Sequence, residues 1–312
     1  MKMHILSGFR RNVVRLFALL MALPTGPAHA QDTSKNTASA AQAGTRRFLM
    51  WKVTSPTTTV YLVGSIHVAT PDLYPLPDGM ESAFAASKVL AVEVNVRNLE
   101  SKSSSDLTQA LGSYGPGDSL SKHISKQTSD ALDAFCAKHG VPREALEGYK
   151  PWLAGLTSAV IAFQQAGEEF HLGVDEHFLD EVKGGQRIEE FETADYQVSI
   201  FSSSSEEEQE QLLASSLKEV DAVKEWTSKV QQAYITGDDV ALKKMLEAQF
   251  EPRTFYKRLI EDRNVNMEKK IEEYLKGKEP CFVVVGSGHM IGDNGIVKML
   301  EDKKYKVERV TP

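Results

Sequence analysis

Residues 60–67 read VYLVGSIH and residues 282–289 read FVVVGSGH. The two octapeptides align without a gap and match at Val, Gly, Ser and His, while the remaining strand positions of both are apolar. Each reads as a buried strand that stops at a glycine, turns and presents a histidine. The two histidines stand 222 residues apart, near opposite ends of the folded region. Gly64 and Gly286 allow close backbone approaches that a larger residue would block. In sheets of this kind ligands bind beyond the carboxyl ends of the strands. If the two strands lie adjacent and parallel, His67 and His289 project into one crevice. Two imidazoles in one crevice suit a divalent metal or proton transfer.

A useful constellation needs a third group, and Glu93 is the candidate. It interrupts the run Val89-Leu-Ala-Val-Glu93-Val94, where a buried carboxylate carries a desolvation cost. A metal, a histidine or an arginine would offset that cost. A Glu at the exposed end of the strand, paired with a structural Arg, is the alternative. Other chemistries fare worse. The chain has no His-Glu-x-x-His helix and no Gly-x-Ser-x-Gly elbow. Ser65 and Ser287 sit inside turns, which argues against either as a nucleophile. His123 and His139 lie on polar helical stretches and read as surface residues. The charged group Glu168, Glu169, His171, Asp175, Glu176 and His177 is dense, but a charged loop leading into a helix accounts for most of it.

Around these motifs the pattern is mixed α/β. Residues 48–53 and 58–63, joined by the turn Ser55-Pro56-Thr57, predict a hairpin. A short helix is expected over 78–87 with Asp78 as N-cap, then a strand over 88–94. Residues 100–118 are rich in Ser and Gly and read as loop. From 119 to 276 the spacing is largely helical. Pro151 opens one helix at a tolerated position, and Ser205 with Glu208 forms a capping-box pattern ahead of an acidic run read as solvated helix start. Leu213, Leu217, Val220, Val223, Trp226 and Val230 follow as one stripe of a long helix. Gly237 ends that helix and Asp238 caps the next. A short strand is expected over 186–190. The chain closes with a strand over 281–286, a helix near 294–302 and a strand over 305–310. The expectation is a central β-sheet flanked by helices, in one domain over 46–312 with a large helical insertion at about 119–276.

Composition bounds the rest. The 312 residues carry 36 Lys and Arg against 43 Asp and Glu, and 41% are apolar. These are proportions of a globular protein. The acidic balance argues against sequence-independent nucleic-acid binding, which needs clustered positive charge. The charge is uneven. Residues 1–30 contain Lys2, Arg10, Arg11 and Arg15, no acid, an apolar run from Leu16 to Leu23 and the triplet Ala28-His29-Ala30. That is the form of a secretory signal with its cleavage site, and the apolar run is too short to span a bilayer. Without those four cations the remainder carries −11. The expected location is periplasmic or secreted, with no stable membrane span after signal removal. Residues 31–45 are small and polar and read as a flexible leader. Export permits a disulfide, but Cys136 and Cys281 read as two separate buried thiols.

The chain resembles the TraB/GumN family, which is related to the Tiki metalloproteases. The carrying segments are Tyr61-Leu-Val-Gly64-Ser-Ile-His67-Val, the strand with Glu93, Lys150-Pro151-Trp152-Leu, Gly173-Val-Asp175-Glu-His-Phe178-Leu, Phe191-Glu192-Thr193, Arg263-Asn264 and Val285-Gly286-Ser-Gly-His289-Met-Ile-Gly292. The resemblance runs from about residue 46 to 312. It implies a core fold similar to the erythromycin-esterase and ChaN-like proteins. It also implies a metal site from His67, His289 and Glu93, with Arg263 and Asn264 reaching the same cleft and Asp175 and Glu192 as further site residues. Asn95 departs from the pattern, since many members carry an acid there. The expected activity is metal-dependent hydrolysis of a peptide or other acyl bond. His67, His289 and Glu93 would hold Mn, Co, Zn or Fe; Glu93, if not a ligand, would be the general base, and Arg263 would stabilise the oxyanion. The competing class is a non-catalytic periplasmic protein that captures a peptide, a metal or haem, or regulates a partner. A third class has the Gly-x-x-His turns merely bracing the sheet. Oligomeric state is left open.

Overall fold

The β-branched and aromatic runs assemble into one six-stranded mixed sheet in the order β4-β3-β5-β2-β1-β6. The strands are β1 (Met50–Thr54), β2 (Thr59–Ser65), β3 (Val89–Val92), β4 (Arg187–Glu190), β5 (Cys281–Gly286) and β6 (Lys306–Arg309). The computed structural model describes residues 46–95, 102–217, 220–249 and 253–311. The secretory signal and leader expected over 1–45 lie outside the described residues.

β4, β3, β5 and β2 run parallel, while β1 pairs antiparallel with β2 and with β6. β3 and β5 are buried along their whole length. Strands covered on both faces read as continuous apolar runs, which is how both were visible in sequence. The edge strands β4 and β6 read RIEE and KVER, and charge at a sheet edge discourages pairing with another chain. The hairpin turn is held by Ser55, whose Oγ accepts from the backbone N–H groups of Thr57 (3.2 Å) and Thr58 (3.1 Å).

Val60 stands opposite Cys281, so Gly64 lies beside Val285 and Ser65 beside Gly286. The two motif copies are therefore adjacent and parallel, staggered by one residue from their sequence alignment. The approach is close. A Cβ on Gly64 would lie 3.0 Å from Ser287 Oγ and 3.2 Å from Ser287 Cα. Ser287 Oγ donates to the Ser65 carbonyl at 2.8 Å, tying the turn of the second copy to the end of the first.

Several local expectations are corrected. Asp78 is the first residue of the helix Asp78–Ala86 and not its cap; the extended Pro77 precedes it, with no side-chain cap bond. Residues Lys102–Gly112 form a helix where a loop was expected. Ser104 and Thr108 are buried, and a Cβ on Gly112 would lie 2.5 Å from Leu153 Cδ2 and 2.8 Å from Trp152. The small residues are thus a close-packing face, which composition alone reads as loop. The single long helix is two, Glu206–Ser216 and Val220–Thr236. Leu217 leaves helical geometry at φ −83° and ψ 59°. Both pieces pack on the helix Pro151–Ala166, so the apolar stripe continues in sequence although the helix does not. The short strand expected over 186–190 does form, as β4, and joins the sheet beside β3. His139 is buried, stacked on Phe135 with ring centroids 4.1 Å apart and bonded through Nδ1 to Gln165 Oε1 at 2.6 Å.

The capping box forms as expected: Ser205 Oγ accepts from Glu208 N, and Glu208 Oε2 accepts from Ser205 N. The acidic run is only partly solvated. Glu208 also receives Arg258, and Glu210 accepts from Ser125 N and Thr128 Oγ1. Cys136 and Cys281 are free, buried thiols. Cys281 belongs to the main core and Cys136 to a satellite cluster with Leu120, Leu132 and Leu213. No helix among the described residues is long and apolar enough to cross a membrane.

Gly155 marks where helix packing leaves no room for a side chain. A Cβ there would lie 2.9 Å from Leu213 Cα and 3.1 Å from Leu213 N, both backbone atoms. Overpacking of this kind costs roughly 1–3 kcal/mol. Gly155→Val is expected to lower the unfolding free energy by that amount, read as a lower urea midpoint at unchanged slope, and an unchanged midpoint would show that the two helices separate freely.

Candidate functional site

The parallel order β3-β5-β2 delivers three chain segments to one edge of the sheet. Glu93 is the first residue beyond β3, His67 lies two residues beyond β2, and His289 sits in the short helix Ser287–Met290 that follows β5. The Glu93 carboxylate lies between the two imidazoles. Its Oε1 is 3.9 Å from His67 Nε2 and its Oε2 is 3.6 Å from His289 Nε2. Gly286 N donates to Glu93 Oε1 at 2.6 Å. The glycine of the second motif therefore gives the carboxylate a backbone donor.

The far nitrogen of each ring is also held. His67 Nδ1 lies 3.0 Å from Asp175 Oδ1, which also accepts from Ser65 Oγ at 2.6 Å. His289 Nδ1 lies 2.6 Å from Asn264 Oδ1. Asn264 Nδ2 donates to the Asn294 carbonyl at 2.7 Å, which fixes the amide so that its oxygen faces the ring. Both partners are acceptors, so both Nδ1 atoms carry the proton. That leaves each Nε2 turned toward Glu93. His289 Nε2 is buried and has no hydrogen-bond partner.

Arg263 fixes the carboxylates. Its side chain is 4% exposed. Nε and Nη2 donate to the two oxygens of Glu192, each at 2.8 Å, and Nη2 donates to Glu93 Oε2 at 2.5 Å. Nη1 donates to the Leu259 carbonyl at 2.7 Å, within the π-helical turn Lys257–Glu261. Glu192 is placed by its backbone, since its N–H donates to the Glu93 carbonyl at 2.9 Å just past the β3–β4 pairing.

The electrostatics follow from this packing. Burial alone would raise the Glu93 carboxyl; His289 and Arg263 reverse the sign and hold it well below the ordinary carboxylate range. Burial would lower the His67 imidazole, but the charge and hydrogen bond of Asp175 outweigh it and its pKa rises. For His289 burial wins over the pull of Glu93, and its pKa falls. Counted formally, Glu93, Asp175 and Glu192 oppose the single cation Arg263, leaving two negative charges in excess. Among the described residues, no set of three or more His, Cys, Asp or Glu closes to metal-ligand spacing.

The structure thus gathers every residue singled out from sequence: His67, Glu93, His289, Arg263, Asn264, Asp175 and Glu192, with Gly64 and Gly286 at the strand ends. The charged segment 168–177 does not gather as a cluster. Glu168 turns to Thr227, Glu169 pairs with His171, and His177 pairs with Glu81. Asp175 alone from that segment reaches the site. Gly173 explains why: a Cβ there would lie 2.8 Å from the His67 carbonyl oxygen, and Val174 N donates to Ile66 O at 3.1 Å. Sequence reasoning missed Asn294 and Gln197 and gave Ser65 no part beyond a turn. Nothing in the spacing of Asn294 or Gln197 signals the site, whereas Ser65 lies within the first octapeptide, two residues before His67, and its match with Ser287 was the available signal.

His67 and Glu93 line a small recess together with Val92, Val94, Val284, Asp175 and Gln197, while His289, on the other side of the Glu93 carboxylate, is fully buried and does not line it. Compared with known proteins, the chain matches the family model described as TraB/PrgY/gumN over residues 49–309. No curated protein and no solved structure matches.

Removing the Arg263 cation tests the charge arrangement. Glu93 titrates below its unfolded value, so its stabilising contribution is present above about pH 4.5 and is lost as pH falls through the folded value. Arg263→Met leaves two buried carboxylates without their cation, at a cost of roughly 3–5 kcal/mol near neutrality. Burial, no longer opposed by Arg263, then favours protonation of Glu93. The penalty is therefore expected to shrink between pH 7.5 and pH 5 in urea melts, and a penalty independent of pH would contradict this account.

Proposed function

The chain belongs to the TraB/PrgY/gumN family, and from that premise and the site geometry we propose that it is an exported, metal-dependent hydrolase of protease or peptidase type. One observation carries the reading. Two imidazoles with their Nδ1 protons committed to Asp175 and Asn264 turn their free Nε2 atoms toward one buried carboxylate. In residue type the donor set suits a divalent cation, although its spacing among the described residues is wider than a ligand set. His289 Nε2 is an orphaned buried nitrogen, the site carries a formal excess of two negative charges, and Mn, Co, Zn and Fe all accept two imidazoles and a carboxylate. His67, His289 and Glu93 would hold the ion. When bound, such an ion supplies Lewis acidity toward a carbonyl oxygen and acidifies a coordinated water.

The remaining residues have tasks of their own. Asp175, assisted by Ser65, and Asn264 orient the two rings and set their tautomers, as outer partners of ligand histidines do. Glu93 is a poor general base. Both its oxygens already accept hydrogen bonds, and its pKa lies far below neutrality, where a base works best. We therefore assign it to holding the ion. Arg263 has its Nε and Nη2 donors committed to Glu192 and Glu93, so it acts by positioning Glu93 and not by reaching an oxyanion. The substrate class is a peptide or another acyl compound. Export rests on the basic, then apolar, then small-residue pattern of residues 1–30.

The saturation of Glu93 by Gly286 and Arg263 favours one second reading. In it the same cleft captures a peptide, a metal or haem without turnover, and the protein is a binding or regulatory factor outside the cytoplasm.

Metal content and cleavage separate these readings. Purified wild type is expected to bind Mn, Co, Zn or Fe, and the double variant His67→Ala, His289→Ala to lose that binding. Unchanged metal in the double variant would sink the proposed site. Pooled peptides are expected to be cleaved only with added metal, and Glu93→Gln to abolish the cleavage. Tight peptide binding without cleavage would favour the second reading.

A further inference from the structure

Gln197 lies in the helix Ala194–Ser202, is 5% exposed and lines the same recess as His67, Glu93 and Asp175. Its Nε2 donates to Glu192 Oε2 at 3.2 Å. A carboxylate only accepts hydrogen bonds, so this contact fixes which end of the amide is nitrogen. The other end, Oε1, is buried and has no hydrogen-bond partner. The side chain is not free to swing away. Glu192 is itself clamped by Arg263, and Thr193 caps the helix by accepting from Tyr196 N.

A buried acceptor without a donor costs about 1–3 kcal/mol and is uncommon in native proteins. The side chains lining the recess offer it no donor. Glu93 and Asp175 accept, His67 Nδ1 is committed to Asp175 and its Nε2 faces Glu93, and three valines carry no polar group. The recess that Gln197 lines is open to a donor from outside the chain. An amide substrate brings an N–H on the atom bonded to the carbonyl carbon under attack; an ester has an oxygen there and no hydrogen. We propose that Gln197 Oε1 is a substrate-binding acceptor for the N–H of the scissile amide, so that the site is built for amides in preference to esters.

This inference rests on the hydrolase reading above and names its substrate class. In the reaction a C–N bond breaks, water oxygen forms the new C–O bond, and one water proton ends on the leaving nitrogen. Gln197 takes no proton; it orients the amide and excludes a substrate that would leave its oxygen unpaired, the kind of contact from which sites derive their largest discrimination.

The test uses metal-loaded protein with a pooled peptide library and the matched depsipeptides, in which an ester replaces each amide in turn. Gln197→Leu and Gln197→Met keep the volume and remove the acceptor. Both are expected to lower kcat/KM for amides by about tenfold or more while esters change by less than about threefold. Bound metal, read by mass spectrometry, is expected to stay at the wild-type level in both. Equal losses for amides and esters, or loss of metal, would assign Gln197 to bracing Glu192 and overturn the inference. So would an amide-to-ester ratio that does not move, which would mean that an internal water satisfies Oε1. Cleavage of neither class by wild type, with any of the four metals, would instead remove the hydrolase reading and the inference with it.

Discussion

The parallel pairing of β2 with β5 is the constraint on which the rest of the molecule depends. These strands lie at opposite ends of the folded chain, and closing so long a loop has an entropic cost that only extensive burial offsets. Both are apolar along the shared ladder, and Gly64 lets the Ser287 turn approach where any side chain would intrude. Once they pair, both histidines emerge at one sheet edge. β3 then pairs on the other side of β5 and brings Glu93 to the same edge. The intervening helices, and β4 at the rim, are built around this three-strand core.

That arrangement places carboxylates where water is scarce, and the protein answers with one short stretch of helix. Arg263 and Asn264, adjacent in sequence at the start of the helix Asp262–Lys276, serve two different groups. Arg263 bridges Glu93 and Glu192, and Asn264 turns His289. The π-helical turn just before them leaves the Leu259 carbonyl as an acceptor for Arg263; such turns recur at functional sites. A buried cation between two carboxylates is worth little net stability but fixes geometry when every donor is used. The same network leaves two orphaned atoms, His289 Nε2 against Glu93 and the Oε1 of Gln197, a residue that lines the recess. A protein that satisfies its polar groups so thoroughly elsewhere in the site leaves atoms unpaired where a ligand can complete them.

Much of this was legible in sequence, and unevenly so. Strands β2, β3 and β5 announced themselves because strands buried on both faces need continuous apolar runs. The helix Lys102–Gly112 did not, because Ser104, Thr108 and Gly112 pack through their smallness, and small polar residues read as loop. The break at Leu217 was hidden because the residues on both sides face the same helix and keep the stripe in phase. Among site residues, His67 and His289 stood out by repetition and Glu93 by its misfit in an apolar strand. Gln197 carried no such mark. Its importance lies in a hydrogen bond to Glu192, itself placed by a β-ladder that spacing does not reveal.

The sequence by itself determined the class of fold, the identity of the strand ends that carry chemistry, and the residue types gathered there. Those follow from local rules: burial demands apolar runs, close approach demands glycine, and a charge inside an apolar strand demands a partner. The tertiary structure decided the rest. It set the one-residue stagger between the two motifs, gave Glu93 its donors in Gly286 and Arg263, gave each imidazole its own acceptor, and left Gln197 Oε1 without one. These are relations between segments far apart in the chain. They depend on which strand lies beside which and on where a helix begins relative to a sheet edge, and no periodicity within a single segment encodes that.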